Sequence, residues 1–181
     1  MIRIISGEHR GRKIRAPKQL NARPTTDRAK EGLFNILNNR FYFDEIKALD
    51  LFSGTGNLSY ELVSRGCTQV TAVDADRLAV KFIGDTASQL NMHGLQAVRN
   101  TAENYLSGVI GSYDLILADP PYQYDRYEWL IEEVFNRELL SDGGLLVLEH
   151  DVKTRLDELA HFSERRTYGN SCFSFFEKEE N

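Results

Sequence analysis

The spacing of apolar positions changes period several times along the chain, and each change marks an element. RIISGEHRGRKIRAP reads as a short hairpin around Gly7–Gly11 that ends at Pro17. Pro24 and the Thr25–Thr26–Asp27 cluster then give a helix start, and Ala29, Leu33, Ile36 and Leu37 share one face of the helix that follows. From Ile46 strands and helices alternate. IKALDLF is a buried strand, LSYELVSRG a helix closed by Gly66, and QVTAVDAD a strand ending on acids. Residues 77–92 put Ala79, Phe82, Ile83, Ala87 and Leu90 on one face, predicting a helix capped near Gly94. LQAVRN is a strand and TAENYLSG a short helix; YDLILAD is a strand, YEWLIEEVFNRELL a helix and GGLLVLEH a strand. A last helix is expected near 152–160, before the β-like runs FSERRTYG and SCFSFFEKE.

Alternating strands and helices predict an α/β fold, a doubly wound, mostly parallel sheet. The last two runs predict a C-terminal antiparallel hairpin at its edge. In such sheets ligands bind beyond the carboxyl ends of the strands. The polar strand ends DLFSGTGN, AVDAD and LADPP are therefore expected to converge. The expected organisation is a basic N-terminal hairpin and helix extension over 1–45 and an α/β domain over 46–181.

Charge sharpens this division. Residues 1–30 carry nine Lys and Arg against Glu8 and Asp27, a net +7, whereas the remaining residues sum to −12, giving −5 for the whole. A basic end on an acidic body suits a polyanionic partner. The 181 residues fit one ordinary domain, and 41% hydrophobic residues supply a core. Cys67 and Cys172 form no CxxC pair, and His9, His93, His150 and His161 show no metal-ligand spacing, so no metal is expected. The first residues lack the apolar stretch of a signal peptide, and no segment is long enough to span a bilayer. A cytoplasmic protein is the expectation.

The first chemical signal is the loop after the first long strand. Gly54 and Gly56 permit a tight turn and close approach of a ligand. Asp74 ends the next strand about 20 residues on, the usual distance for an acid that binds ribose. A nucleoside-containing cofactor follows. The third glycine of a dinucleotide fingerprint is replaced by Ser59, which disfavours NAD. Asp50 before the loop and Asp74 after it fit S-adenosylmethionine, which has no pyrophosphate.

The second signal is Asp119-Pro120-Pro121-Tyr122 at the end of the next strand but two. The prolines fix φ and remove N–H donors, so nearby carbonyls point in set directions. Asp119 and the Pro120 carbonyl can each accept one hydrogen of an exocyclic NH₂ on a nucleobase. The nitrogen then loses conjugation with the ring, and its lone pair turns toward a methyl donor. Tyr122 stacks on the base. Adenine, cytosine and guanine amines all fit this arrangement.

The segments RIISGEHRGRKI, RPTTDRAKEGLFNIL, LDLFSGTGNLSYELVSRG, LILADPPY and RRTYGNSCFSFF resemble, in order, the bacterial 16S rRNA guanine-N2 methyltransferases of the RsmD type. The resemblance covers nearly the whole chain, and the RPTTDR block is its most particular part. It implies a Rossmann-like class I methyltransferase that moves one methyl from S-adenosylmethionine to N2 of a guanine in 16S rRNA. The implied substrate is the assembled or nearly assembled small ribosomal subunit, and a monomer is expected. By motif match Asp50, Phe52, Ser53, Gly54 and Gly56 line the cofactor. Asp74 and Ala75 take the ribose, with Thr101 and Ala102 at the adenine. Asp119, Pro120 and Tyr122 are the catalytic group, and Pro121 adjoins the base. Arg10, Arg12 and Lys13, with Arg23, Thr25, Thr26 and Arg28, would grip RNA. Adenine-N6 methylation of DNA or another RNA is the alternative that the Asp-Pro-Pro-Tyr motif permits.

Overall fold

The computed structural model describes residues 1–20 and 25–178. Its main sheet has seven strands: β3 (Lys47–Leu51), β4 (Gln69–Asp74), β5 (Leu95–Arg99), β6 (Tyr113–Ala118), β7 (Leu140–Asp151), β8 (Phe162–Tyr168) and β9 (Ser171–Glu177), in the order β5-β4-β3-β6-β7-β9-β8. β3 to β7 run parallel, and β9 is antiparallel to both β7 and β8. The order reverses between β4–β5 on one side of β3 and β6–β7 on the other, so the switch point lies beside β3.

β3 shows why the sheet sits inside. Ala48 through Leu51 are all buried, with Ala48 and Leu49 in different core clusters on opposite faces. On the first face Leu33, Phe34 and Leu37 of helix α1 (Asp27–Asn38) pack with Leu58 and Leu62 of α2 (Asn57–Ser64). α3 (Arg77–Gln89) joins that side through Ile83, which packs on Tyr60 and Ala72. On the second face α4 (Ala102–Gly108) and α5 (Tyr127–Asn136) place Leu106, Leu130, Ile131 and Val134. The doubly wound sheet and its edge hairpin are as the pattern predicts.

The first residues form a two-stranded hairpin, β1 (Ile2–Arg3) with β2 (Lys13–Ile14), docked along α2. Glu61 of α2 accepts the Ile5 and Ser6 amides at 2.9 and 3.0 Å. At the helix end the Ser64 carbonyl accepts the Glu8 amide at 2.7 Å. Gly7, at φ +81°, passes so close that a Cβ would lie 1.7 Å from the Ser64 oxygen.

Four expectations are corrected. No helix forms over 152–160. Its Val152 amide bonds to Asn170 O and its Val152 carbonyl accepts from Arg165, so the β8–β9 hairpin takes backbone groups a helix would need. α5 stops at Asn136, because Glu138 turns left-handed at φ 54°, and β7 begins three residues before the predicted Gly143. α3 ends at Gln89, and Asn91 at φ 55°, not Gly94, turns the chain. Lys30, counted above among the cations of the arm, is fully buried. Its ammonium donates to Arg3 O at 2.6 Å and Asn57 Oδ1 at 2.8 Å and pairs with Glu61 at 3.4 Å. Burial pulls its pKa below the usual lysine range, and the Glu61 charge opposes that pull.

Candidate active site

The loop after β3 is built from three left-handed residues, Phe52 (φ 57°), Gly54 (φ 52°) and Gly56 (φ 79°). For phenylalanine that conformation costs on the order of 1 kcal/mol or more. The loop is tied to β4: Ser53 donates from its amide to Val73 O at 3.0 Å, and the Gly54 amide donates to Asp74 Oδ2 at 2.7 Å. The other Asp74 oxygen accepts the Asp76 amide at 2.8 Å. A carboxylate oxygen can accept more than one hydrogen bond, so these bonds fix Asp74 and leave it acceptor capacity.

Above these strand ends lies a cavity of about 690 Å³, within the range of roughly 300–1,000 Å³ usual for small-molecule sites. Asp50, Phe52, Ser53, Gly54, Asp74 and Ala75 line it. Thr101 and Ala102 line it beside Asn100 and Glu103. The Thr101 hydroxyl caps α4 by accepting the Asn104 amide at 3.1 Å. Gly56 does not line the cavity. A Cβ there would meet Tyr60 and Ile83 at 2.8 and 2.9 Å, so its role is to let α2 start against α3.

Among the described residues the lining includes seven carboxyl side chains, those of Asp50, Asp74, Asp76, Glu103, Asp119, Glu149 and Asp151, and no Lys or Arg. Such a wall attracts a cation and repels a pyrophosphate. It fits a cofactor that carries a sulfonium and an α-ammonium, and it does not fit NAD. Asp50 is the deepest of these acids. Burial pushes its carboxyl up to about 7, against the Ser59 hydroxyl that donates to it at 2.5 Å, with the Asp74 charge adding to the rise.

The Asp119–Tyr122 segment leaves β6 next to the glycine loop, since β6 pairs with β3 up to Leu51↔Ala118. Pro120 is buried, while Pro121 and Tyr122 are exposed, Tyr122 to 61%. The Tyr124 amide donates to Pro121 O at 2.8 Å, closing a tight turn. Behind it Phe52, Tyr124, Tyr127 and His150 form an edge-to-face chain with centroids 5.2, 5.2 and 6.3 Å apart. Burial first, then the charges of Asp119 and Asp151, push the Tyr127 phenol up to about 12. His150 Nδ1 faces the Asp151 carbonyl at 2.9 Å, so Nδ1 carries the proton and Nε2 accepts from the Ser174 hydroxyl at 2.7 Å. Burial holds this imidazole neutral, below its usual range.

Thr25 and Thr26 reach the same cavity from the start of α1. Thr26 caps that helix through the Ala29 amide at 3.2 Å. Asn57 Nδ2 donates to Thr25 O at 3.0 Å, linking the N-terminal segment to the residue after Gly56. Arg28 is exposed in the first turn of α1, and Arg23 lies outside the described residues. Arg10, Arg12 and Lys13 are exposed on the hairpin. The hairpin tip docks at Ser64, the far end of the eight-residue α2, roughly 12 Å along the helix from the cavity. The structure therefore does not bring those three together with the reacting group.

Residues 2–177 match the model of the family described as Conserved hypothetical protein 95. The chain belongs to this family. Among its relatives, YlbH of Bacillus subtilis, a candidate rRNA methyltransferase, is 32% identical, with 98% of this chain and 99% of that protein covered. Ribosomal RNA small subunit methyltransferase D of Escherichia coli K12 is 29% identical over 98% of this chain and 90% of its own length. The solved structure of the candidate methyltransferase yhhF from Escherichia coli superposes with a TM-score of 0.86 at 29% identity, covering 98% of each chain.

The cavity lining also includes residues without a local sequence signal for a site. Glu149, His150 and Asp151 end β7, Asn170 lies in the turn of the edge hairpin and Ser171 begins β9. No glycine or proline marks the strand end formed by the first three. The last two reach the cavity because Ser171 pairs with Asp151 across β9 and β7, a long-range register that no local pattern encodes.

Proposed function

We propose that this protein transfers a methyl group from S-adenosylmethionine to N2 of a specific guanine in 16S rRNA. Methyl transfer to rRNA follows from the family. The guanine amine is the finer step, and it rests on the motif resemblance. The observation that carries the reading is the meeting, in one acid-lined cavity free of Lys and Arg among the described residues, of Asp74 with the Asp119–Tyr122 tip.

When bound, the cofactor supplies an electrophilic methyl on a sulfonium. Asp74, held by the Gly54 and Asp76 amides, takes the ribose hydroxyls. Asp50, Phe52, Ser53 and Gly54 surround the methionine arm, and Asn100 to Glu103 surround the adenine. Asp119 and the Pro120 carbonyl accept the two N2 hydrogens and turn the nitrogen lone pair toward the methyl carbon. Asp119 would take up the proton that the amine gives up on accepting the methyl group the cofactor would supply. Tyr122 stacks on the base, and its exposure lets a flipped nucleotide reach it. Catalysis is positioning and electrostatics, with no covalent intermediate on the protein.

Residues 1–45 are the RNA-facing extension and 46–181 the methyltransferase domain. Thr25 and Thr26 line the cavity on the side where the target nucleotide would enter, and Arg23 and Arg28 supply cations for its phosphates. Arg10, Arg12 and Lys13 serve phosphates farther along the RNA. The substrate is the assembled or nearly assembled small subunit, met by a monomer in the cytoplasm. Incubation with labelled S-adenosylmethionine and undermethylated small subunits, followed by nucleoside mapping, tests this. Label in N2-methylguanosine is expected. Label in N6-methyladenosine would replace it with the alternative reading.

A further inference from the structure

The residue that distinguishes guanine from other amines is not in the Asp-Pro-Pro-Tyr segment, which suits any exocyclic NH₂. It should be an acceptor beside Asp119, able to meet the ring N–H of guanine. Such a group stands on the neighbouring strand. β6 and β7 are parallel, with Leu117 opposite Val147 and Ala118 opposite Leu148. Continuing that register one residue past the end of β6 sets Asp119 next to Glu149, on the order of one strand spacing, ~4.8 Å, in the backbone. Leu148 belongs to the second core face and Val147 to the first, so alternation turns Glu149 to the first face, the side of α1. The Thr25 hydroxyl, just before α1, donates to Glu149 Oε2 at 2.6 Å. Glu149 is 7% exposed, yet it lines the cavity together with Asp119, Pro120 and Tyr122.

We infer that Glu149 reads the Watson–Crick edge of the target guanine, accepting its N1–H while Asp119 and Pro120 hold N2; this rests on the guanine-N2 reading above. The Glu149 carboxyl already serves as an acceptor toward the Thr25 hydroxyl, and its oxygens have room for a further hydrogen bond. Guanine offers N1–H and N2–H₂ side by side, so it presents a donor wherever this pair of acids presents an acceptor. Adenine offers a bare N1 acceptor next to its amine, and cytosine a bare N3. Either would set a lone pair against Glu149, and a site built to receive a hydrogen bond rejects a partner that lacks it. The Thr25 bond fixes the Glu149 carboxylate and makes base selection depend on the seating of the N-terminal segment. Glu149 is thus a specificity-determining residue and Thr25 its positioning residue.

The test uses small subunits reconstituted with 16S rRNA carrying either guanine or 2-aminopurine at the mapped position. 2-Aminopurine keeps the 2-amine but has no N1–H. Wild-type protein is expected to prefer guanine by about 10–100-fold in kcat/KM, the discrimination usual for a two-point base contact. Rejection of 2-aminopurine by the wild type could also come from its missing O6, so the assignment rests on Glu149→Gln. That side chain can turn its NH₂ to a bare N1, and the 2-aminopurine to guanine ratio should rise at least about 10-fold, with cofactor affinity unchanged. Thr25→Val keeps the carboxylate and should lower guanine kcat/KM less than Glu149→Gln does. Equal use of the two bases by the wild type overturns the inference, and so does a ratio unmoved in a Glu149→Gln protein that still binds S-adenosylhomocysteine. Wild-type label on a nucleoside other than guanosine instead removes the guanine reading on which the inference stands.

Discussion

Two aspartates in one cavity are set to different tasks by their surroundings. Asp119 ends β6 at the rim, where it can meet an amine, and Asp119→Ala removes that acceptor without touching the Asp74 side. Methyl transfer should fall by about 100-fold or more, as when a single oriented polar partner is taken from a transition state. Cofactor affinity, read by calorimetry, should stay within a few-fold. Transfer near the wild-type rate would take Asp119 out of the mechanism. Asp50 is buried at the end of β3 with its carboxyl raised to about 7. A raised acid binds more protons folded than unfolded, so its contribution to stability falls as pH rises from the ordinary aspartate value of 3.8 toward 7. The same shift links cofactor binding to pH. The raised carboxyl holds its proton to higher pH than an ordinary aspartate, and a cationic ligand beside it favours the ionised form. Binding of S-adenosylhomocysteine, which keeps the ammonium, should release a fraction of a proton and tighten as pH rises from 6 to 7. Calorimetry in buffers of different ionisation enthalpy reads that proton. Asp50→Asn should abolish the release, and an undiminished release would assign the proton to another group.

At the scale of elements, what the sequence makes legible is what local chemistry determines. The glycine loop and Asp74 could be placed because Gly54 and the end of β4 obey short-range rules of turn and period. The segment 152–160 could not, since Val152, Leu156 and Leu159 carry a helical period that the β8–β9 hairpin overrides through Asn170 and Arg165. Glu149 and Asn170 are not legible locally: no glycine or proline marks the strand end at Glu149, and Asn170 arrives only through the register of β9 on β7. Lys30 looked like one more cation of the arm, and only its burial on α1 against Glu61 shows otherwise. The hairpin glycines test the docking that local rules cannot foresee. Gly7 and Gly11 share nearly the same φ, 81° and 83°, but a Cβ at Gly7 strikes the Ser64 backbone and one at Gly11 meets open space. Gly11→Ala should therefore cost about 1 kcal/mol in conformation alone. Gly7→Ala should cost roughly 2–4 kcal/mol, conformation plus overpacking. Thermal unfolding measures the difference, at about 2–4 °C per kcal/mol for a chain of this size. Equal losses would mean that the hairpin is not held against α2.

For the molecule as a whole, the charge division gains a geometric sense. The cavity wall is acidic, so RNA phosphates are repelled from it, and a neutral base and a cationic cofactor are what it admits. The backbone of the RNA must then be held outside, by cations other than the described residues of the cavity wall. Of the nine in residues 1–30, Lys30 is spent in the core and Arg3 pairs with Asp27 at 2.9 Å. Arg28 is exposed in the first turn of α1, two residues after the cavity-lining Thr26, and Arg10, Arg12 and Lys13 face solvent on a hairpin set back along α2. Such a hairpin can bind flanking phosphates only on a substrate larger than the target nucleotide, which suits a folded subunit better than a short oligonucleotide. Replacing Arg10, Arg12 and Lys13 with alanine should weaken subunit binding and make its salt dependence shallower by roughly 0.7–0.9 log units per lost phosphate contact. Cofactor affinity should not change, because Asp74 and the glycine loop are untouched, and turnover at saturating subunit should fall less than turnover at limiting subunit. A short RNA carrying only the target loop should lose much less affinity than the whole subunit does. If the subunit's affinity and salt slope are both unchanged, the hairpin makes no phosphate contact, and cations elsewhere, such as the exposed Arg28 of α1, must hold the RNA.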